Sequence, residues 1–421
     1  MGEFSAEHDS DMREFVEDFL QFDTTGGNEL PAQEWLRGRL TDLGFETYEW
    51  TGDAELLADH PSFPDDPDEI PVSDRPSVGG VLEFGDPEAG RTLVLNGHID
   101  VVPAARESWS SDPFEPTWRE EDGTETLTAR GAADMKCGLA ACIFAAKHLR
   151  DSDPDLDGRI AVEAVVDEEA GGIGAASSAL SNPFPFERDA AIIAEPTELR
   201  PIVASEGSVM KRLHLTGRSA HAASRWEGVD VLPKFERIRR AFMDLEAERD
   251  DAIDHPLYEE FPVKVPVVVG RVEAGDWASS VPSELTAEMR IGVAPGETVD
   301  EVEAQFEDRL AEIAADDEWL TEHPPEFERF SVQFEPSEIS GDEPVVNAVQ
   351  RAMATHDLPN AEPRGATYGA DARHYIDAGI PTVMFGPGTV DQAHFPDEHI
   401  DWSEVLTGGE VLADAAKEFL G

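Results

Sequence analysis

His98, Asp100, Asp134, Glu168, Glu169, Glu195 and His394 share a kind of place in the chain. Each follows an apolar run of strand length or sits in a glycine-bounded loop. Their types alone say little, because 90 of the 421 residues are Asp or Glu, and three acids in a row are expected about four times by chance. Their placement is the signal, since a solvated charge has no structural task at the end of a buried strand. Two imidazoles and several carboxylates gathered at one sheet edge would repel badly unless a cation sat among the acids. Imidazole nitrogen with carboxylate oxygen suits zinc, cobalt or manganese better than calcium, and no thiolate is placed to help. A plain calcium-binding protein would have no use for His98 and His394.

The elements that must position these residues recur along the chain. TLVLN precedes Gly97, RIAVEAVV precedes Asp167, DAAIIA precedes Glu195 and PTVMF precedes Gly386. Helical segments such as MKCGLAACIFAAKHLR separate them, which implies crossover connections and an α/β fold with a mostly parallel sheet covered by helices on both faces. In such sheets ligands bind beyond the carboxyl ends of the strands. Two helices open the chain, in DMREFVEDFLQF and in PAQEWLRGRLTDLG, the second stopped by Gly44. From Thr51 to Ser77, five prolines among acids read as a solvated surface loop without a functional role. From Glu206 to Ser337 the rhythm changes to strand VMKRLHLTG, helix VLPKFERIRRAFMDL, strands VKVPVVVGRV and LTAEMRIGV, helix VDEVEAQFEDRLAEIA and a last strand RFSVQF. The expected organisation is therefore a catalytic domain in two parts, 1–205 and 338–421, interrupted by an inserted α+β two-layer domain, 206–337.

The formal net charge of −58 repels phosphate backbones and anionic membrane surfaces, which argues against nucleic-acid and membrane partners. Only six of the 32 basic residues are lysine, and this combination resembles proteins of salt-accumulating halophiles. A hydrophobic share of 40%, with 34 glycines besides, is that of a folded chain and not of a disordered one. The N-terminal MGEFSAEHDSDMREFV lacks a basic region followed by an apolar core, and the longest apolar stretch, GLAACIFAA, falls far short of the roughly 20 residues that span a bilayer. A cytoplasmic location is expected. Cys137 and Cys142, five apart on a helix, point away from each other and suit neither a disulfide nor a metal.

The ordered motifs NGHIDVVP, RGAADMKCG, DEEAGG, AEPT, GRSAHAA, GIPTVMFGPG and AHFPDEH resemble the family of acetylornithine deacetylase, succinyl-diaminopimelate desuccinylase, aminoacylase and the related carboxypeptidases, from about His98 to the C-terminus. The resemblance implies two divalent metal ions, zinc with cobalt as the alternative. His98, Asp134 and Glu195 would hold one; Asp134, Glu169 and His394 would hold the other, so that Asp134 bridges. Three carboxylates and one bridging hydroxide would offset the two cations. Asp100 would accept from the ring of His98 and fix which nitrogen faces the metal, and Glu168 would be the general base. His221 matches the family histidine that reaches across a dimer to the developing oxyanion. Arg290 matches an arginine that holds a substrate carboxylate, with the backbone of Gly386, Pro387 and Gly388 lining the same pocket, while a structural salt bridge is the competing role for Arg290.

Three positions depart from the family pattern. Ser280 stands where many relatives have a substrate-recognising asparagine, Cys137 replaces a glycine, and Asp397 stands where asparagine is common. These leave the metal set intact and open the question of the acyl group. The expected enzyme is a zinc-dependent amidohydrolase that removes an N-acyl group from an amino acid, with the inserted domain serving as lid and homodimer contact. An exopeptidase acting on short peptides is the alternative. A non-catalytic ligand-binding relative would have lost a ligand or the base, and both are present here.

The charge excess has a direct consequence for stability. Repulsion among carboxylates opposes the compact state and acts over about 30 Å at 0.01 M salt but only about 3 Å at 1 M. Thermal melts from low to molar KCl, at fixed zinc, should therefore show a rising melting temperature; a flat profile would contradict the halophile reading.

Overall fold

The apolar runs that precede the acids become the centre of one mixed sheet. The computed structural model describes residues 3–121, 123–152 and 156–421; Met1 and Gly2 of the N-terminal segment read above lie outside the described residues. The sheet order is Glu46–Trp50, Ser77–Phe84, Gly158–Val165, Arg91–His98, Ala190–Ile193, Thr382–Met384, Ile202–Ser205 and Ser337–Glu338. Its middle four strands, Gly158–Val165 to Thr382–Met384, are parallel; Glu46–Trp50 with Ser77–Phe84, Ser77–Phe84 with Gly158–Val165, and Thr382–Met384 with Ile202–Ser205 are antiparallel. The register brings their carboxyl ends level, with His98 opposite Val165, Asn96 opposite Ile193 and Met384 also opposite Ile193. Every residue of Gly158–Val165 is buried, as a strand covered on both faces requires.

Helix Cys137–Ser152 is buried almost all round, because it packs against the central strands on one side and helix Trp402–Leu420 on another. Helices Glu3–Phe19 and Pro344–Thr355 extend this layer, while Leu30–Asp42 lies on the antiparallel margin and Ile173–Leu180 packs against Ala372–Asp377. Cys137 and Cys142 are buried free thiols in this helix. Among the described residues, no helix is long and apolar enough to cross a membrane.

Two compact units divide the chain: 1–203 with 338–364 and 371–421, and 204–337 with 365–370. The second unit has its own antiparallel sheet, in the order Val267–Ala274, Glu284–Val293, Gly207–Thr216 and Glu326–Arg329. Burial alternates along Gly207–Thr216, and its inward residues meet helices Leu232–Ala252 and Val299–Ala315 in a core that includes Leu213, Leu215, Ile238, Phe242, Met289 and Phe306. The second of these helices starts with a reciprocal capping box between Thr298 and Glu301.

Two expectations need correction. The last strand is Glu326–Arg329 and not RFSVQF, because Glu326–Arg329 pairs with Lys211–His214 while Phe327 packs against the core. The chain then continues beside Gly207–Thr216, with an isolated bridge between Ser208 and Phe334. The stretch 51–77 is more than a solvated loop. Leu57, Phe63 and Ile70 form a small buried cluster with Ile173 and Ala176, and Arg75 is buried between Glu29 and Asp167, with which it pairs.

Candidate active site

The first unit brings the strand-end acids and histidines together. His98 ends the strand Arg91–His98, Glu168 and Glu169 form a short turn after Gly158–Val165, and Glu195 lies just past Ala190–Ile193. His394 comes from the loop after Thr382–Met384, and Asp134 from the irregular turn that leads into helix Cys137–Ser152. Ligand-capable atoms of His98, Asp134 and Glu195 all lie within 4.8 Å of one another, as do those of Asp134, Glu169 and His394. Asp134 joins the two groups through different oxygens: Oδ1 accepts from His98 Nε2 at 3.1 Å, and Oδ2 is 3.7 Å from His394 Nε2. His394 Nε2 is 3.0 Å from Glu169 Oε2 and is the exposed member of the set.

The electrostatics show what this arrangement lacks. Burial, with the charges of Asp134, Asp371 and Glu169, pushes the Glu195 carboxyl up to about 8 despite the opposing pull of His98. Its Oε1 is buried without a hydrogen-bond partner. Burial and the carboxylates around it also raise Glu168 well above the usual range, and burial raises Glu169. Burial works against protonation of His98, but its hydrogen bond to Asp134 and the surrounding acids hold its pKa well above the ordinary imidazole value. Positive charge among these acids is what the arrangement calls for. The orphaned Glu195 oxygen, the nitrogen and oxygen donors and the two-sided Asp134 fit divalent metal binding at both groups.

Backbone anchors hold the turns. The ring of His98 donates from Nδ1 to the main-chain carbonyl of Asp100 at 2.9 Å, while the Asp100 carboxylate lies 3.7 Å away. The role expected of Asp100 toward the ring thus falls to its main chain. Its carboxylate instead accepts from the backbone N–H of Glu168 at 3.1 Å and of Glu169 at 3.0 Å, because a turn that leaves a strand has amides without ladder partners. Glu168 is buried beside both groups and belongs to neither.

Sequence reasoning passed over three residues that do this work. Glu398 of HFPDEH, 1% exposed, accepts from the amides of Ala133 and Asp134 at 2.8 and 3.1 Å and from Arg130 at 2.7 Å. Arg75 pairs with Asp167, the positive-φ residue directly before Glu168. Arg373 donates to the carbonyl of Gly171, and the adjoining Gly172 has φ +78° with Asp371 Oδ1 only 2.1 Å from where a Cβ would lie. The signal for Glu398 was present as an acid in the same motif as His394; nothing in the sequence ties Arg75 or Arg373 to the turn.

The residues expected to bind substrate are placed as follows. The Gly386 amide donates to Thr197 Oγ1, Gly388 is bonded through its backbone to Glu404, and the carbonyls of Gly386 and Gly388 accept from Leu199 and Glu198. A Cβ on Gly386 would lie 2.4 Å from the carbonyl of Ala194, so these glycines let the chain pass close to the Glu195 loop and hold it. The backbone groups of both glycines are thus engaged within the fold. Arg290 of the second unit donates to Glu206 Oε1 at 2.9 Å, and Glu206 is fully buried. His221 and Ser280, also of the second unit, face each other in an isolated bridge. His221 is exposed, and its Nδ1 accepts from the Ala223 amide at 3.1 Å, which puts the ring proton on Nε2.

The fold and this constellation are those of a metal-dependent hydrolase of linear amides. The chain belongs to the peptidase family M20/M25/M40, whose model matches residues 94–418. It is 25% identical over 433 residues to an N-formyl-4-amino-5-aminomethyl-2-methylpyrimidine deformylase of Bacillus subtilis, covering 97% of this chain and 94% of that protein. A deformylase of the same name from Halalkalibacterium halodurans is 25% identical over 409 residues, covering 91% of this chain and 88% of that protein. In fold the chain is similar to a dipeptidase, Dug1p, of Saccharomyces cerevisiae, with a TM-score of 0.75 at 14% identity over 99% of this chain and 97% of the other. A metallo-carboxypeptidase of Sulfolobus solfataricus gives a TM-score of 0.71 at 17% identity, over 97% and 99% of the two chains.

The raised carboxyls carry a pH signature for the metal-free protein. A carboxyl whose pKa rises on folding binds more protons in the native than in the unfolded chain, so its contribution falls as pH rises from the unfolded value of 4.5 to about 8 for Glu195. His98, raised on folding, shifts stability in the same direction. The metal-free protein should therefore melt lower at pH 8 than at pH 6, by on the order of 5 °C, and added zinc should shrink the difference. Equal melting temperatures without metal would contradict the burial of these acids as a repelling set.

Proposed function

We propose that the chain is a metal-dependent amidohydrolase that removes a short acyl group from an amine. The observation that carries this reading is the Asp134 carboxylate, which faces a His98–Glu195 group with one oxygen and a His394–Glu169 group with the other. In this reading His98, Asp134 and Glu195 hold one divalent cation, and Asp134, Glu169 and His394 the other, with zinc or cobalt suited to the donor set. Such cations supply Lewis acidity, lowering the pKa of a water molecule toward about 7 and polarising an amide carbonyl.

Glu168 takes the proton of the attacking water and returns it to the nitrogen of the leaving amine. Burial and neighbouring acids raise its proton affinity, which suits it to accept that proton and pass it to the amine. Asp100 keeps Glu168 and Glu169 in register through their amides. His221 presents an Nε2–H to the developing oxyanion in the site of a second copy of the chain, since donors aimed at developing charge are often the largest catalytic contribution.

The substrate class follows from two further points. Two relatives that align over nearly the whole chain are named as deformylases of an aminopyrimidine. Arg290 is committed to the buried Glu206, so the carboxylate of an N-acyl amino acid loses its expected partner. A small formyl or acetyl amide of an amine without a carboxylate is therefore favoured over an N-acyl amino acid or a dipeptide.

Glu168→Ala should keep its metal and lose about 10²–10⁴-fold in turnover, the usual share of general acid–base catalysis, whereas Glu169→Ala should lose metal. The substrates to compare are N-formyl amines, N-acetyl and N-succinyl amino acids and dipeptides, with added zinc or cobalt. Normal turnover or metal loss in Glu168→Ala would remove it as the base, and cleavage of dipeptides alone would make the chain an exopeptidase.

Mixing inactive His221→Ala with inactive Glu168→Ala subunits should restore part of the activity, because hybrid dimers would hold one intact site. No recovery after demonstrated subunit exchange would place the action of His221 in its own chain or nowhere.

A further inference from the structure

A second meeting of metal-ligating side chains lies away from the strand ends, where helix Glu3–Phe19 packs on helix Cys137–Ser152. His8 Nε2 is 3.2 Å from His148 Nδ1, which is 3.2 Å from Glu7 Oε2, and His8 Nε2 is 3.8 Å from the same oxygen. Aromatic packing fixes both rings. Phe4 lies 5.1 Å from His8 and 5.5 Å from His148, Phe144 lies 5.8 Å from His8, and the two imidazoles stand at 90° to each other. His8 is buried, while the Glu7 side chain is half-exposed, so the group opens to solvent on one side.

A proton on His148 Nδ1 can be shared between Glu7 Oε2 and a neutral His8 Nε2, or His8 can donate to His148 and leave the His148 lone pair turned toward a carboxylate oxygen 3.2 Å away. One cation would engage all three atoms together in place of a single shared proton. A triangle with sides of 3.2, 3.2 and 3.8 Å has a circumradius of about 2.0 Å. An ion at the roughly 2.0–2.1 Å of zinc–nitrogen and zinc–oxygen bonds would therefore sit just off its plane, as one does over a face of a tetrahedron.

We propose that Glu7, His8 and His148 form a further divalent-metal site, suited to zinc, that clips the N-terminal helix onto helix Cys137–Ser152. The fourth position faces the open side and is left to water. Two imidazoles and a carboxylate are the borderline donors that zinc accepts, and they are poor donors for calcium or magnesium.

The test compares metal-stripped full-length wild type with His148→Ala and Glu7→Gln, both changes at positions that solvent reaches. Zinc bound at equilibrium is measured by dialysis and elemental analysis at micromolar free zinc. Wild type should hold one more equivalent than His148→Ala, and Glu7→Gln should bind that equivalent at least about tenfold more weakly. Zinc should also slow amide hydrogen exchange in helix Glu3–Phe19 of wild type and not of His148→Ala. Equal stoichiometry in wild type and His148→Ala, or equal protection of the helix, would overturn the proposal. The difference is read against each protein's own strand-end set, so it stands or falls apart from the reading of that set, and turnover of His148→Ala should match wild type.

Discussion

The constraint on which the first unit depends is the confinement of like charges. Glu168, Glu169 and Glu195 meet Asp134 at the carboxyl ends of parallel strands, where burial and neighbouring carboxylates act against their ionisation, while the hydrogen bond to His98 holds the Asp134 carboxyl below its usual range despite burial. A fold does not gather such a set for its own stability, because each buried carboxylate without a counter-charge weakens it. The arrangement is stable only with positive charge among the acids, and His98 and His394 supply part of it. This is the physical reason that the same residues that strain the metal-free fold suit it for binding divalent cations.

The remaining anchors keep these acids from relaxing apart. Asp100 binds the amides of Glu168 and Glu169, Glu398 binds the amides of Ala133 and Asp134, and Arg75 pairs with Asp167. Each anchor grips backbone or a neighbouring residue and leaves the site carboxylates free. Main-chain anchoring has an advantage here, since a side chain tied to a ligand would compete with metal for the same oxygen. Glu398 is itself buried and raised to about 6, chiefly by desolvation, and Arg130 offsets its charge. The charge problem is thus spread through several buried pairs of opposite sign.

The second unit solves a simpler problem. An antiparallel sheet with one face on two amphipathic helices needs only alternating apolar residues, which Gly207–Thr216 and Glu284–Val293 provide. Its polar residues are correspondingly free for other work. Lys211, one of six lysines in the chain, is buried against Glu303 and Glu307, and Arg290 is held by Glu206. That last pair changes the reading of substrate, since a guanidinium bonded to a buried carboxylate is a costly partner to divert.

What the sequence determined by itself was the part governed by local pattern. Apolar runs followed by acids marked the central strands and the ends where His98, Glu168, Glu169 and Glu195 lie, because a strand buried on both faces must be apolar until it leaves the sheet. The alternation of elements gave the α/β class, and ordered motifs carried the family resemblance. The tertiary structure decided what depends on residues far apart in the chain. It turned the carboxylate of Asp100 to two amides and left the ring of His98 to its carbonyl, brought Arg75 from a proline-rich stretch to Asp167, and engaged the backbone of Gly386 and Gly388 with the Glu195 loop. It also brought Glu7 and His8 to His148, 140 residues further on from His8. No periodicity records such meetings, because a hydrogen bond or an ion pair is fixed by where the folded backbone places two atoms and not by the residues beside them in sequence.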